Sequence, residues 1–204
     1  MQLEVKTMAE LSEKNITPDF LYWVGSSGSF DDRAKKITRA FVKVLNYANV
    51  SFGVLGVEES TSGDVAKRAG NEFLFQMQAL ANIEVMNSYN IKKIITTCPH
   101  SFNILKNEYP DLGGNYEVYH HSEFVHDLIK SKKITISQNS IEEVMTYHDP
   151  CYLGRGNNIY NQPREIIKRL SKNFIEMPRN KRNSLCCGAG AVSYTHLTLP
   201  TTYG

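Results

Sequence analysis

The chain has 204 residues, 41% of them apolar, which is enough for one domain or two small ones around a buried core. Lys and Arg number 23 against 21 Asp and Glu, and the formal charge of +2 excludes the basic excess that draws nucleic acid. No window approaches the roughly 20 apolar residues of a spanning helix, and MQLEVKTMAELSEK lacks the regions of a signal peptide, so a cytoplasmic chain with no membrane span is expected.

Short β-rich runs alternate with helical spacing. Leu21 to Val24, Val54 to Val57 and Ile94 to Thr97 read as strands, with a fourth at Tyr116 to Tyr119. Between the first two, Ile37, Ala40, Phe41, Val44, Leu45 and Ala48 recur at steps of three and four, giving a helix one apolar stripe, with Asp31 or Ser29 as its cap. Gly63 to Tyr89 reads as a second helix whose core face carries Ala66, Ala69, Phe73, Met77 and Leu80. A helix over Glu123 to Ile129 follows the fourth strand, and Ser131 to Ser140 is polar enough for a linker or a surface hairpin. This alternation predicts an α/β fold with a parallel sheet.

The pattern then restarts. FLYWVGS at Phe20 to Ser26 aligns with MTYHDPC at Met145 to Cys151, an offset of 125 residues that also carries Thr61-Ser62-Gly63 onto Cys186-Cys187-Gly188. In both copies 34 residues separate the first marked position from the second. The expectation is two tandem duplicated parallel-sheet α/β domains, residues 1–130 and 131–190, the second truncated because the equivalent of Cys98-Pro99-His100-Ser101 falls beyond Gly204. VSYTHLTLPT at Val192 to Thr201 is the translation of one frame of a transposase sequencing adapter, so residues 191–204 are expected to be a non-native tail.

Four cysteines, Cys98, Cys151, Cys186 and Cys187, in a chain of this kind point to metal or redox chemistry more than to a disulfide scaffold. Adjacent cysteines bond each other only with strain, but adjacent thiolates can face one inorganic cluster. The glycines after Cys186-Cys187 permit a tight turn, and Cys151 lies just past a predicted strand end, the edge where α/β folds place their sites. His148 and Asp149 are placed to orient the Cys151 turn. Gly25-Ser26-Ser27-Gly28 lacks the full dinucleotide fingerprint, and His120, His121 and His126 read as capping or solvated residues more than as metal ligands.

HDPCYLGRGN (His148 to Asn157), CCGAG (Cys186 to Gly190) and the gap between them resemble the cysteine-rich CCG domain, shared by a subunit of heterodisulfide reductase and the iron-sulfur subunits of glycolate and lactate oxidation complexes. WVGSSGSFDDR, GDVAKRAGNEFLFQMQ, TTCPHSFNILKNEYP and LGGNYEVYHH resemble a bacterial branch of the same family, so the likeness covers nearly all of residues 20–190. The resemblance implies a tandemly duplicated domain whose cysteines bind a 4Fe-4S cluster. It also implies electron transfer beside a ferredoxin-like iron-sulfur subunit and a flavoprotein dehydrogenase, in a complex that is soluble or membrane-associated.

The departures from the pattern divide the two copies. In the first, the positions matching family cysteines are Ser26, Thr61, Cys98 and Ser101, and one thiol cannot hold a cluster that needs about four. Cys98 is thus only a weak candidate ligand. In the second copy Cys151, Cys186 and Cys187 all match, and these three are the expected cofactor and metal ligands. Two alternatives stand beside this reading: a cluster-free scaffold subunit, and a structural zinc site built from the same thiols.

Overall fold

The structure is a computed structural model and describes residues 4–188. The expected tail and the glycines after Gly188 lie outside the described residues. A short helix α1 (Met8–Glu13) opens on a capping box, in which the Thr7 side chain accepts from the Glu10 N–H and Glu10 accepts from the Thr7 N–H. Then follow β1 (Phe20–Trp23), helices α2 (Gly25–Phe30) and α3 (Asp32–Tyr47), and β2 (Phe52–Gly53). Helices α4 (Asp64–Arg68) and α5 (Glu72–Ser88) lead to β3 (Lys93–Thr96), α6 (Pro99–Asn107), β4 (Glu117–His120), α7 (His121–Lys130) and α8 (Asn161–Leu170).

The strands form one parallel sheet in the order β2-β1-β3-β4, with Leu21 opposite Ile94 and Ile94 opposite Val118. The α/β parallel-sheet expectation is therefore met. Leu21, Tyr22 and Trp23 are all fully buried, as a central strand covered on both faces requires. Alternation sends Leu21 and Trp23 into a layer with Phe75, Ile83 and Met86 of α5 and Phe102 of α6, while Tyr22 packs with Phe41 and Leu45 of α3 and Phe124 and Leu128 of α7. Each of these large apolar side chains contributes on the order of 2 kcal/mol by leaving water. The strand order reverses between β1 and β3, and the crevice above that point is where open α/β sheets bind ligands.

Several expectations need correction. The second strand is shifted to Phe52–Gly53, and Val54 makes only a parallel bridge to Thr7 before the chain enters a 3-10 turn at Gly56–Glu58. The helix expected over Gly63 to Tyr89 is broken at Gly70, whose φ of +81° suits glycine and stops α4, after which the Asn71 side chain caps α5 by accepting from the Leu74 N–H. The break changes the buried face. Phe75, Ala79, Ile83 and Met86 pack inward, while Phe73, Met77 and Leu80 are exposed. Helix α5 carries apolar residues on both faces, so periodicity could not choose between them. In α3 the Asp31 cap is present, accepting from the Ala34 N–H at 2.7 Å, but Ile37 and Ala40 lie outside the buried stripe.

Residues 131–188 share the core of the sheet domain. Leu153 and Ile159 join the layer of α5 and α6, and Ile134 joins that of α3 and α7. Helix α8 packs on α7, with His126 Nε2 2.8 Å from Glu165 Oε2. The strand expected from Met145 onward is present as a single parallel bridge, Met145 to Phe174, across α8.

Candidate metal centre

Cys151 sits in a tight turn built from the sequence PCYLGRGN. The Leu153 and Gly154 N–H groups donate to the Pro150 carbonyl, the Gly156 N–H donates to that of Cys151, and Asn157 Nδ2 donates to that of Tyr152 at 2.7 Å. Leu153, fully buried, roots the turn in the core. A Cβ at Gly156 would stand 2.9 Å from the Tyr152 carbonyl oxygen, so the backbone closes only with glycine there.

Asp149 is the hub that joins this turn to the second cysteine segment. Its carboxylate accepts both forks of Arg164, at 2.6 and 2.7 Å, and the Lys181 N–H at 2.6 Å. Burial works to raise the Asp149 carboxyl, but the Arg164 and Lys181 hydrogen bonds outweigh it and hold it below the usual carboxylate range. Arg164 continues to Glu176, so the guanidinium bridges two acids. Ser184 Oγ donates to the Asp149 carbonyl at 3.2 Å, Arg155 Nη1 donates to the Ser184 carbonyl at 2.7 Å, and His148 Nε2 meets the Leu185 carbonyl at 2.9 Å. The residues directly before Cys186 are thereby stitched to the residues around Cys151.

Cys151 is half-buried, and Cys186 and Cys187 are exposed. Cys186 Sγ accepts the Gly188 N–H at 3.4 Å, the kind of amide-to-sulfur bond that stabilises a cluster thiolate. Thiol donors with an amide aimed at sulfur fit an iron-sulfur group. Among the described residues, no three His, Cys, Asp or Glu side chains already converge on one metal position. The structure thus brings the two cysteine segments together without closing a ligand set.

The first-copy positions meet elsewhere. Ser26, Thr61, Cys98 and Ser101 all line one cavity of about 720 Å³ at the β1/β3 crevice. Cys98 is the N-cap residue of α6 with Pro99 behind it. His100, in the cavity wall, contacts Asp64 at 2.7 Å and packs edge-on against Tyr152, ring centroids 4.7 Å apart. Of the histidines weighed in the sequence, His120 caps α7 from a buried position and His126 pairs with Glu165, while His121 lines the cavity. Burial pushes His121 down to about 4, so it is neutral near pH 7.

The cysteine-rich domain called CCG matches residues 21–106 and 145–197. The chain belongs to the CCG family. It is 46% identical over 188 residues to a protein of Bacillus subtilis named probable iron-sulfur-binding oxidoreductase FadF, covering 92% of this chain and 26% of that one. It is 48% identical over 172 residues to the EtfAB:quinone oxidoreductase of Syntrophomonas wolfei, covering 84% and 24%. Identity to a subunit of the dihydromethanophenazine:CoB–CoM heterodisulfide reductase of Methanosarcina mazei is 35% over 179 residues, covering 84% and 43%. The chain therefore spans about a quarter to under half the length of these relatives. No solved structure matches it.

In this CCG chain the structure adds residues that sequence reading missed. Arg164 lay in a stretch the sequence left unassigned, and its partner Asp149 lies 15 residues away across a loop. Glu59 lay in an unassigned stretch, yet its carboxylate accepts from the Val24 N–H at 3.0 Å and the Gly25 N–H at 2.5 Å, fixing the turn that carries Ser26. Among the described residues no helix is long and apolar enough to cross a membrane.

Proposed function

We propose that the chain is the cluster-bearing part of an electron-transfer subunit in an iron-sulfur oxidoreductase complex. Cys151, Cys186 and Cys187 supply thiolates to a 4Fe-4S cluster, with the remaining ligation drawn from outside the described residues, and Cys98 takes no part. The observation that carries this reading is the bonding of the 181–185 segment to the Cys151 turn through Asp149, Ser184 and Arg155, which holds the two cysteine segments side by side. The cluster, when bound, accepts and passes on single electrons. The chain's own residues orient its ligands: Arg164 fixes Asp149, and Asp149 fixes the backbone on both sides.

The domain arrangement belongs to the same proposal. Residues 1–130 form a CCG copy whose ligand positions are now mostly hydroxyls, and 131–190 form part of a second copy, with 191–204 a non-native tail. The matched stretches begin at Leu21 and Met145, within one residue of the repeat offset. The names of the relatives support work within an oxidoreductase complex; a flavoprotein dehydrogenase and a ferredoxin-like subunit as its other members, in the cytoplasm or at a membrane face, complete the proposal. The deciding experiment is anaerobic reconstitution of the full gene product, with iron, acid-labile sulfide and zinc measured together. About four irons with matching sulfide are expected; zinc without sulfide, or no metal at all, overturns the reading in favour of a zinc site or a scaffold.

A further inference from the structure

Three charged side chains stand between the first-copy cavity and the Cys151 turn. Asp64 is only 6% exposed, and Arg68 forms partly buried ion pairs with Asp64, at 3.3 Å, and with Glu108. Charges drawn this far out of water are costly unless each is paired and hydrogen-bonded. Their common target lies on the turn. Arg68 stands over the ring of Tyr152, its Cζ 5.5 Å from the centroid. His100, whose Nδ1 is 2.7 Å from Asp64 Oδ2, packs edge-on against the same ring at 4.7 Å. Tyr152 follows Cys151 directly.

The backbone of Tyr152 is held from the same side. Asn157 Nδ2 donates to its carbonyl at 2.7 Å and to Asn103 Oδ1 at 3.0 Å. Asn103 Nδ2 donates in turn to Glu108 Oε1, the oxygen that also accepts from Arg68. One chain of contacts therefore runs from Asp64 through Arg68, Glu108 and Asn103 and closes on Tyr152 at both its ring and its carbonyl. Asp64 and Arg68 belong to α4, His100 and Asn103 to α6, and Glu108 ends α6. A residue fixed at ring and carbonyl leaves its neighbour little freedom to turn, so the direction of the Cys151 side chain is set from helices of the first copy.

We propose that Tyr152 is the positioning residue of the Cys151 thiol, and that Asp64, Arg68 and His100 of the first copy serve to seat its ring. The consequence for a cluster rests on the cluster reading above. The hold on the thiol does not, because the chain's own contacts make it without metal. The first copy thereby keeps a task that survives the loss of its ligand thiols: it is the mould against which the cysteine turn of the second copy is shaped.

The test is alkylation of Cys151 by iodoacetamide in the whole, metal-free chain, followed by mass spectrometry, with half-buried Cys98 as the internal reference for opening of the fold. Tyr152→Leu should speed labelling of Cys151 relative to Cys98 at least about threefold, the size of change that loss of a side chain in direct contact brings. Tyr152→Phe, which keeps the ring, should keep the wild-type ratio. Arg68→Gln should speed Cys151 labelling in the wild-type background and add nothing in the Tyr152→Leu background, because it acts through that ring. Equal acceleration at Cys151 and Cys98, an Arg68→Gln effect that adds in full to that of Tyr152→Leu, or a Tyr152→Phe chain that labels like Tyr152→Leu would each overturn the proposal. Labelling as expected in a chain whose full gene product takes up no iron removes the cluster reading and leaves the positioning role standing. About four irons with labelling identical in all variants does the reverse.

Discussion

Arg164 grips Asp149 with both guanidinium forks, at 2.6 and 2.7 Å, two residues ahead of Cys151. Both side chains are buried, so neither charge is screened by water. Removing one partner of such a pair strands the other, at a cost of about 3–5 kcal/mol. Arg164→Leu should lower unfolding stability by that amount in urea titrations. Arg164→Lys keeps the charge but loses the fork and the Glu176 bridge, and should recover less than half of it. Equal stability of wild type and Arg164→Leu would show that Asp149 does not organise the turn.

Gly156 offers a second handle on the same turn. An added methyl would stand 2.9 Å from the Tyr152 carbonyl oxygen and 3.3 Å from Asn103 Oδ1, and the first of these is backbone that cannot rotate away. Gly156→Ala is expected to cost about 1–3 kcal/mol and to speed alkylation of half-buried Cys151, followed by mass spectrometry. Gly70→Ala, where nothing lies within 4 Å, should cost only the left-handed strain of about 1–2 kcal/mol and leave Cys151 labelling unchanged.

Much of this was legible in advance, for definable reasons. Strands such as Ile94 to Thr97 announce themselves because a strand buried on both faces must be β-branched or apolar throughout. Asp31 marks a helix start because its chemistry is local. Ser26, Thr61, Cys98 and Ser101, picked out in the sequence because they match family cysteine positions, do line one cavity. The core face of α5 was not legible, because Phe73 and Phe75 are equally apolar and only the tertiary packing places the second in the buried layer. The Asp149 to Arg164 pair was also hidden, as its geometry depends on how α8 returns to the loop.

For the cysteines, the expected pattern of substitution is asymmetric. In the reconstituted full gene product, Cys151→Ser, Cys186→Ser or Cys187→Ser should each remove most of the iron, because a serine hydroxyl is far harder to ionise than a thiol. Cys98→Ser should leave iron and sulfide unchanged, since Cys98 lines the separate first-copy cavity. Iron loss from Cys98→Ser, or eight irons per chain, would move a cluster into the first copy.

Glu59 makes the folded chain sensitive to pH in a direction that can be worked out. Burial pushes its carboxyl up to about 7 against the pull of the Val24 and Gly25 amides, while the unfolded value is near 4.5. Between these values the folded state holds a proton that the unfolded state has released, so this contribution is complete below pH 4.5 and is lost as pH rises through 7. His121 has the opposite sign: its folded value of about 4 lies below 6.5, so its contribution is lost as pH falls through that window. The two partly cancel in the wild type, and Glu59→Gln separates them. Urea unfolding at fixed temperature should show the stability difference between wild type and Glu59→Gln falling by up to about 3 kcal/mol from pH 4.5 to 7 and staying flat below pH 4.5. The single amide lost because a carboxamide accepts with only one oxygen adds a constant offset and no slope. A difference independent of pH would mean that Glu59 titrates alike in the folded and unfolded chain, and that its two amide donors balance its burial.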